Sequence, residues 1–324
     1  DAPIGYISAT KELTNQWSDY WCKDDTKLVH FIGKDNIVFH CIIFPAMLKA
    51  HGGFVLPDNV PANEFLNIEG QKVSTSRNWA VWLHEYLVDF PKREDELRYV
   101  LTSIAPETKD SEFMWKGFQD AINSELVSVY GNFINRSLVL MHKLCGGKVP
   151  PYHAAIEDSE DIAVKEAIAA TAKKVGELIE GYRFREALFE VIALARIGNG
   201  YMQKKEPWIV AKQVAENPAA QQQIDNCLHL CLQLTANLAI LAQPFLPFTA
   251  KKICHLLKVV DKILDWENAG SLKLLSVGYT LRAPELLFRK IEDEEIAAQI
   301  QKLNDAAQAK KMETTSTPTP TSTI

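Results

Sequence analysis

The sequence predicts an α/β segment followed by an all-helical one. Three observations carry this. Residues 1–109 mix short apolar runs with turn-forming Gly, Pro and Asn. From Asp110 onward the chain turns to long runs with helical apolar spacing. Short Gly- and Pro-containing stretches punctuate those runs. Segments 1–109, 110–292 and 293–324 are therefore expected as an α/β part, a helical bundle and an extension.

In the first segment, "KLVHFIGKDNIVFHCIIFPAML" (27–48) holds an apolar run, a Gly-containing turn and a long apolar stretch of helical length. That is the strand–loop–helix order of an α/β fold. "GGFVLPDNVPANEFLNIEGQ" (52–71) reads as short β-like pieces separated by Pro, Asn and Gly. In the second segment the stretch 111–144 contains no proline. It predicts one long helix, with Ser111 as its cap and acidic Glu112 in its first turn. Further helices are expected over 157–181, 183–203, 219–241 and 246–259. "DEEIAAQIQKLNDAAQAKKM" (293–312) suits one exposed helix, and "ETTSTPTPTSTI" (313–324) a disordered linker to something beyond.

Composition excludes several classes. The 324 residues are 47% hydrophobic and 23% charged, with material for a core. No apolar run is long enough to predict a membrane span. "DAPIGYISAT" lacks the basic start of a signal peptide. A net charge of −6 recruits no nucleic acid as a whole, so any polyanion site must be local. The six cysteines lack C-x-x-C spacing, and they read as reduced thiols of a cytoplasmic protein rather than as a metal site.

Four stretches hold side chains suited to chemistry. In "KVSTSR", Lys72 offers a cation, Ser74, Thr75 and Ser76 offer hydroxyls, and Arg77 offers a bidentate fork. Such a loop can grip a pyrophosphate, although a solvated polar turn has the same composition. In "FIGKDNIVFH", Gly33 permits close approach of a ligand and Asp35 can accept from ribose hydroxyls. His40 lies there in apolar company, which also suits a satisfied core histidine. "APIGY" (2–6) is a turn that presents Tyr6 to a small apolar pocket, or an ordinary helix entry. Asn132 and Arg136 share a helix face. Trp208 follows Pro207 in "KKEPWIVAK". Asn and Arg can read a base edge and Trp can stack on a base, while a solvated face and a core aromatic are the plainer alternatives.

Taken in order, "DAPIGY", "HFIGKDNIVFH", "NIEGQKVSTSR", "NFINR" and "EPWIVAK" closely resemble the methionyl-tRNA synthetases, class I aminoacyl-tRNA synthetases. The resemblance runs from Asp1 to about residue 290. It implies the C-terminal part of a Rossmann-type catalytic domain followed by an α-helical anticodon-binding bundle. It implies activation of methionine by ATP with Mg²⁺ and transfer to tRNA(Met), with no membrane or DNA partner. By matching positions, Ala2, Pro3, Tyr6 and His40 would line the methionine pocket. Gly33 and Asp35 would hold the adenylate ribose, and Lys72, Ser74, Thr75 and Ser76 would close over the triphosphate. Asn132, Arg136 and Trp208 would meet the anticodon.

Two departures from the family pattern stand out. Thr75 takes the place of the second lysine of the loop usually written K-M-S-K-S. The H-x-G-H signature is absent around all eight histidines. No metal ligand is expected in this chain, since the family's zinc belongs to a part not present here. Two functions stay open: part of an active synthetase, or a catalytically inert tRNA-binding piece. A helical interaction scaffold fits the loop and the Asn132, Arg136 and Trp208 set less well.

Overall fold

Two parallel strand pairs open the structure, a computed structural model that describes residues 2–316. Leu28–Val29 pairs with Pro57–Asn59, and Ile32–Gly33 pairs with Ala62–Asn63. Parallel neighbours need a crossover. Here it is helical: a 3-10 turn Lys34–Asn36, a π-helical turn Phe39–Ile43, then the α-helix Phe44–His51. This is the strand–loop–helix order expected from residues 27–48. Ile7, Trp21, Phe44 and Leu48 form the buried cluster beneath it, with Trp17, Leu28 and Phe54 against its edge.

The chain divides into two units, residues 1–71 with 105–112, and residues 72–104 with everything from Phe113 onward. A single cut near residue 109 does not describe this division, because residues 72–104 pack with the helical unit. Leu66–Ile68 and Gln71–Lys72 form a hairpin. Glu69 and Gly70 make its turn with φ of 45° and 75°, the left-handed pair that two-residue hairpin turns require. The Gly70 N–H donates to the Glu112 carboxylate.

The helical unit has Trp115–Ala121, a π-helical stretch Ile122–Gly131 and Asn132–Leu144 in one continuous run. Ser159–Glu180, Phe184–Lys205, Ala220–Ala242 and Pro247–Leu257 complete its core. Ala220–Ala242 is long and apolar enough to cross a membrane by length and composition alone, but its apolar stretch is buried by the surrounding helices, as an all-round apolar core helix must be. Asp158 caps Ser159–Glu180 by accepting from the Glu160 and Asp161 N–H groups at 3.0 and 3.1 Å.

Expectation and structure part at two further places. Ser111 does not cap a helix: Ser111–Phe113 is a strand, and the Ser111 N–H donates to the Phe65 carbonyl at 2.9 Å. Pairing there outcompetes helix start, because it buries Phe113 while Met114 stays extended. The C-terminal helix Asp293–Ser316 runs into the stretch expected as linker. Residues 317–324 lie outside the described residues.

Candidate functional site

Three clusters hold the expected side chains, one in the α/β unit and two in the helical unit. In the first, Ala2–Ile4 forms a 3-10 turn that leads into the helix Gly5–Leu13. Pro3 is buried there and Tyr6 is 44% exposed. The Tyr6 hydroxyl lies 3.0 Å from His40 Nε2, and His40 Nδ1 lies 3.0 Å from the Asn36 carbonyl. A neutral ring with its proton on Nδ1 satisfies both contacts, with Tyr6 donating. Tyr6 and His40 are thus brought together, with Ala2 and Pro3 just ahead of Tyr6.

His30 was missed as a candidate. It is buried, and its ring lies 5.1 Å from that of His40 and 5.5 Å from that of Tyr6. Burial, with His40 as a second cause, holds its pKa below the ordinary imidazole value. Its Nε2 has no hydrogen-bond partner among the described residues. The only sequence signal was its position at the end of the first apolar run.

Gly33 ends the second strand, and a Cβ there would meet Asp35 Oδ1 at 2.8 Å. The Asp35 carboxylate folds back over a backbone that only glycine leaves bare. It is exposed and available to a ligand. The neighbouring Lys34 is engaged instead with the Glu64 and Asp110 carboxylates, and those hydrogen bonds raise its pKa.

The second cluster is the loop Lys72–Arg77, built as a tight antiparallel turn. Ser74 and Trp79 exchange backbone hydrogen bonds at 3.0 and 2.9 Å, and the Asn78 N–H closes onto the Thr75 carbonyl at 3.1 Å. Asn78 takes a left-handed φ of 52°. Its side-chain oxygen accepts from Trp82 Nε1 at 2.9 Å, which anchors the turn. Ser74 Oγ lies 3.1 Å from Ser76 Oγ and accepts from the Arg77 N–H at 3.3 Å. Lys72, Thr75, Ser76 and Arg77 are exposed. The Arg77 guanidinium donates to the Lys72 carbonyl at 3.3 Å, so a second cation lies beside Lys72.

The third cluster sits on the bundle. Glu206, left-handed at φ 42°, ends the helix Phe184–Lys205, and Pro207 starts the short helix Pro207–Val210. That break turns Trp208 toward the neighbouring helix. The Arg136 guanidinium lies 5.2 Å over the Trp208 ring. Asn132, one turn before Arg136, donates from Nδ2 to Asn199 Oδ1 at 3.2 Å. Asn132, Arg136 and Trp208 are all half-buried, the exposure a reading face needs. Gly198 makes this approach possible, since a Cβ there would strike the Phe133 ring at 2.6 Å.

Residues 1–138 match the family described as class I tRNA synthetases of the methionine type, "tRNA synthetases class I (M)". Residues 150–308 match the "anticodon binding domain of methionyl tRNA ligase". A class I aminoacyl-tRNA synthetase is therefore the class that the fold and the two matched families define. The methionine–tRNA ligase of Porphyromonas gingivalis is 55% identical over 306 residues, covering 94% of this chain and 44% of that protein. The corresponding ligase of Cytophaga hutchinsonii is 53% identical over 320 residues, covering 95% and 45%. The Mycobacterium tuberculosis methionyl-tRNA synthetase in complex with methionyl-adenylate superposes with a TM-score of 0.75 at 26% identity, over 85% of this chain and 52% of that one. The chain belongs to the methionyl-tRNA synthetase family. It spans less than half the length of these two ligases.

Proposed function

We propose that this chain carries part of the machinery of a cytoplasmic methionine–tRNA ligase: the methionine and adenylate half-site, the phosphate loop and the anticodon-reading bundle. The whole enzyme would join methionine to ATP, with its Mg²⁺, as methionyl-adenylate and transfer the methionyl group to tRNA(Met). Tyr6 and His40, with Ala2 and Pro3, would bound the amino-acid pocket. Gly33 and Asp35 would hold the ribose. Lys72, Ser74, Thr75 and Ser76 would close over the triphosphate as its charge builds. Mg²⁺ would arrive with the nucleotide.

The single observation that carries this reading is the Arg136 guanidinium over the half-exposed Trp208 ring, with Asn132 one turn away. A flat aromatic face beside two base-edge readers is what a splayed, single-stranded anticodon needs. The test is binding of a CAU-anticodon stem-loop to Trp208→Ala. Stacking contributes ~1–3 kcal/mol per base, so affinity should drop about tenfold. The melting temperature should hardly move, because Trp208 is not a core residue. Unchanged affinity, or a collapse of the fold, would remove the bundle from anticodon reading.

A second reading, a tRNA-binding piece without catalysis, is favoured by one observation. No histidine of the sequence lies in an H-x-G-H pattern, so these 324 residues lack the imidazoles that the family brings to the ATP phosphates.

A further inference from the structure

We infer that Asn199 is a specificity-determining positioning residue, which sets the direction in which Asn132 presents its amide to a nucleic-acid base. The inference rests on the anticodon reading of Asn132 proposed above. An asparagine amide can be turned over at little energetic difference unless its neighbours decide the matter. Here they decide it in sequence. Asn199 Nδ2 donates to the Val129 carbonyl at 3.0 Å and to the Ala195 carbonyl at 3.2 Å. Those two bonds use both of its hydrogens, and turning the amide over would set its oxygen against two carbonyl oxygens.

Asn199 Oδ1 is thereby fixed as an acceptor. Asn132 must meet it with Nδ2, at 3.2 Å. What Asn132 has left is its carbonyl oxygen and its second N–H, a fixed acceptor–donor pair. Without Asn199, Asn132 could offer its amide in either sense and discriminate poorly between base edges that differ only in the order of donor and acceptor.

The backbone supports the same chain of command. Val129 belongs to the π-helical stretch Ile122–Gly131, a departure from the ordinary helix of the kind often found at functional sites. Gly198 lets the two helices approach closely enough for Asn199 to span them. Asn199 itself is half-buried behind Asn132, and its partners are protein groups.

The experiment is a double-mutant cycle read as discrimination. Dissociation constants are measured for the CAU stem-loop and for loops with a single base changed at each anticodon position. The proteins are the unmutated chain, Asn199→Ala, Asn132→Ala and the double variant. Asn199→Ala should lower the preference for the CAU loop at one position about tenfold, while binding of the mismatched loops stays nearly constant. In the Asn132→Ala background the same change should have no further effect, since Asn199 acts only through Asn132. Asn199→Ser, which keeps one donor, should fall between and serves if Asn199→Ala folds poorly. Full discrimination in Asn199→Ala and Asn199→Ser, or an effect that survives in the Asn132→Ala background, would overturn the inference. If Asn132→Ala itself leaves discrimination intact, the anticodon reading of Asn132 fails first, a distinct outcome that takes the inference with it.

Discussion

The Arg136 guanidinium rests 5.2 Å above the Trp208 ring, joining a helix that begins at Asn132 to a short helix that begins at Pro207. One face of the indole is thereby held, and Trp208 keeps part of its surface open to solvent. Arg136→Ala should weaken binding of a CAU stem-loop by tenfold or more, within the ~1–3 kcal/mol range of a base-reading Arg. It should cost the fold under ~1 kcal/mol, the worth of an exposed cation–π contact. Arg136→Lys should recover only part of the affinity, because a lysine restores charge but not the flat, forked head. Equal binding by Lys and Arg at this position would reduce the contact to simple charge.

The loop makes a different kind of prediction. Lys72 is exposed on a turn whose shape is fixed by the Ser74–Trp79 pair. In an enzyme of its relatives' full length, Lys72→Ala should lower kcat with little change in KM for methionine, since the cation meets charge that develops in the transition state. One such donor is worth ~3 kcal/mol. Thr75→Lys should be neutral or faster, as it restores the cation that the family carries. The 324 residues alone should show almost no methionine-dependent ATP–pyrophosphate exchange, because groups that act as a unit lose most of their rate when part is missing. Normal exchange by this chain would overturn the argument that part of the active site is missing, while an unaffected kcat in Lys72→Ala would return the loop to an ordinary surface turn.

Glu96 ties acidity to stability. It is buried, and burial pushes its carboxyl from 4.5 up to about 7, although Arg93 Nε lies 2.7 Å away and pulls the other way. The folded state therefore holds a proton that the unfolded state releases. Stability from this group is complete below about pH 4.5 and is lost as pH rises through about 7. Asp95, also raised by burial, adds a slope of the same sign. Glu96→Gln cannot lose that proton, so its melting temperature should fall less than the unmutated chain's between pH 4.5 and 7. Each kcal/mol corresponds to roughly 2–4 °C in a domain of this size. Parallel melting curves across that range would mean that Arg93 keeps Glu96 charged throughout.

The sequence made some of this plain and hid the rest for physical reasons. Long helices were legible because their apolar period and their Pro and Gly stops are local; Ser159–Glu180 announces itself through Asp158. The strand Ser111–Phe113 was not, because its pairing with the Leu66–Ile68 strand lies far off in sequence. Nor were the π-helical turns around His40 and before Asn132, which depend on tertiary packing rather than on residue type. Tyr6, His40, Asn132 and Trp208 could be picked out by residue type and motif. His30 and Asn199 could not, since their importance comes from a neighbour more than sixty residues away for Asn199 and from burial for His30.

The end of the helix that precedes Trp208 is held by a buried ion pair, and its strength can be set against a surface pair one residue away. Asp161 is fully buried and accepts from Lys205 Nζ at 2.6 Å and from the Tyr201 hydroxyl at 2.7 Å. Lys205 also reaches Asp158 at 2.7 Å. Burial works against the Lys205 charge, but the hydrogen bonds of the two carboxylates outweigh it and raise its pKa. Lys204 pairs with Glu160 at 2.8 Å, with side chains 64% and 40% exposed. Asp161→Ala leaves a buried hydroxyl and a largely buried ammonium short of a partner, so it should destabilise the helical unit by ~3–5 kcal/mol. Glu160→Ala removes a solvated pair and should cost at most ~1 kcal/mol. Urea unfolding followed by helical circular dichroism measures both. Asp161→Asn, which keeps an acceptor for Tyr201 but not the charge, should lie between them. If Asp161→Ala proved as mild as Glu160→Ala, Lys205 and Tyr201 would have found water, and the helix end ahead of Trp208 would not depend on the buried pair with Asp161.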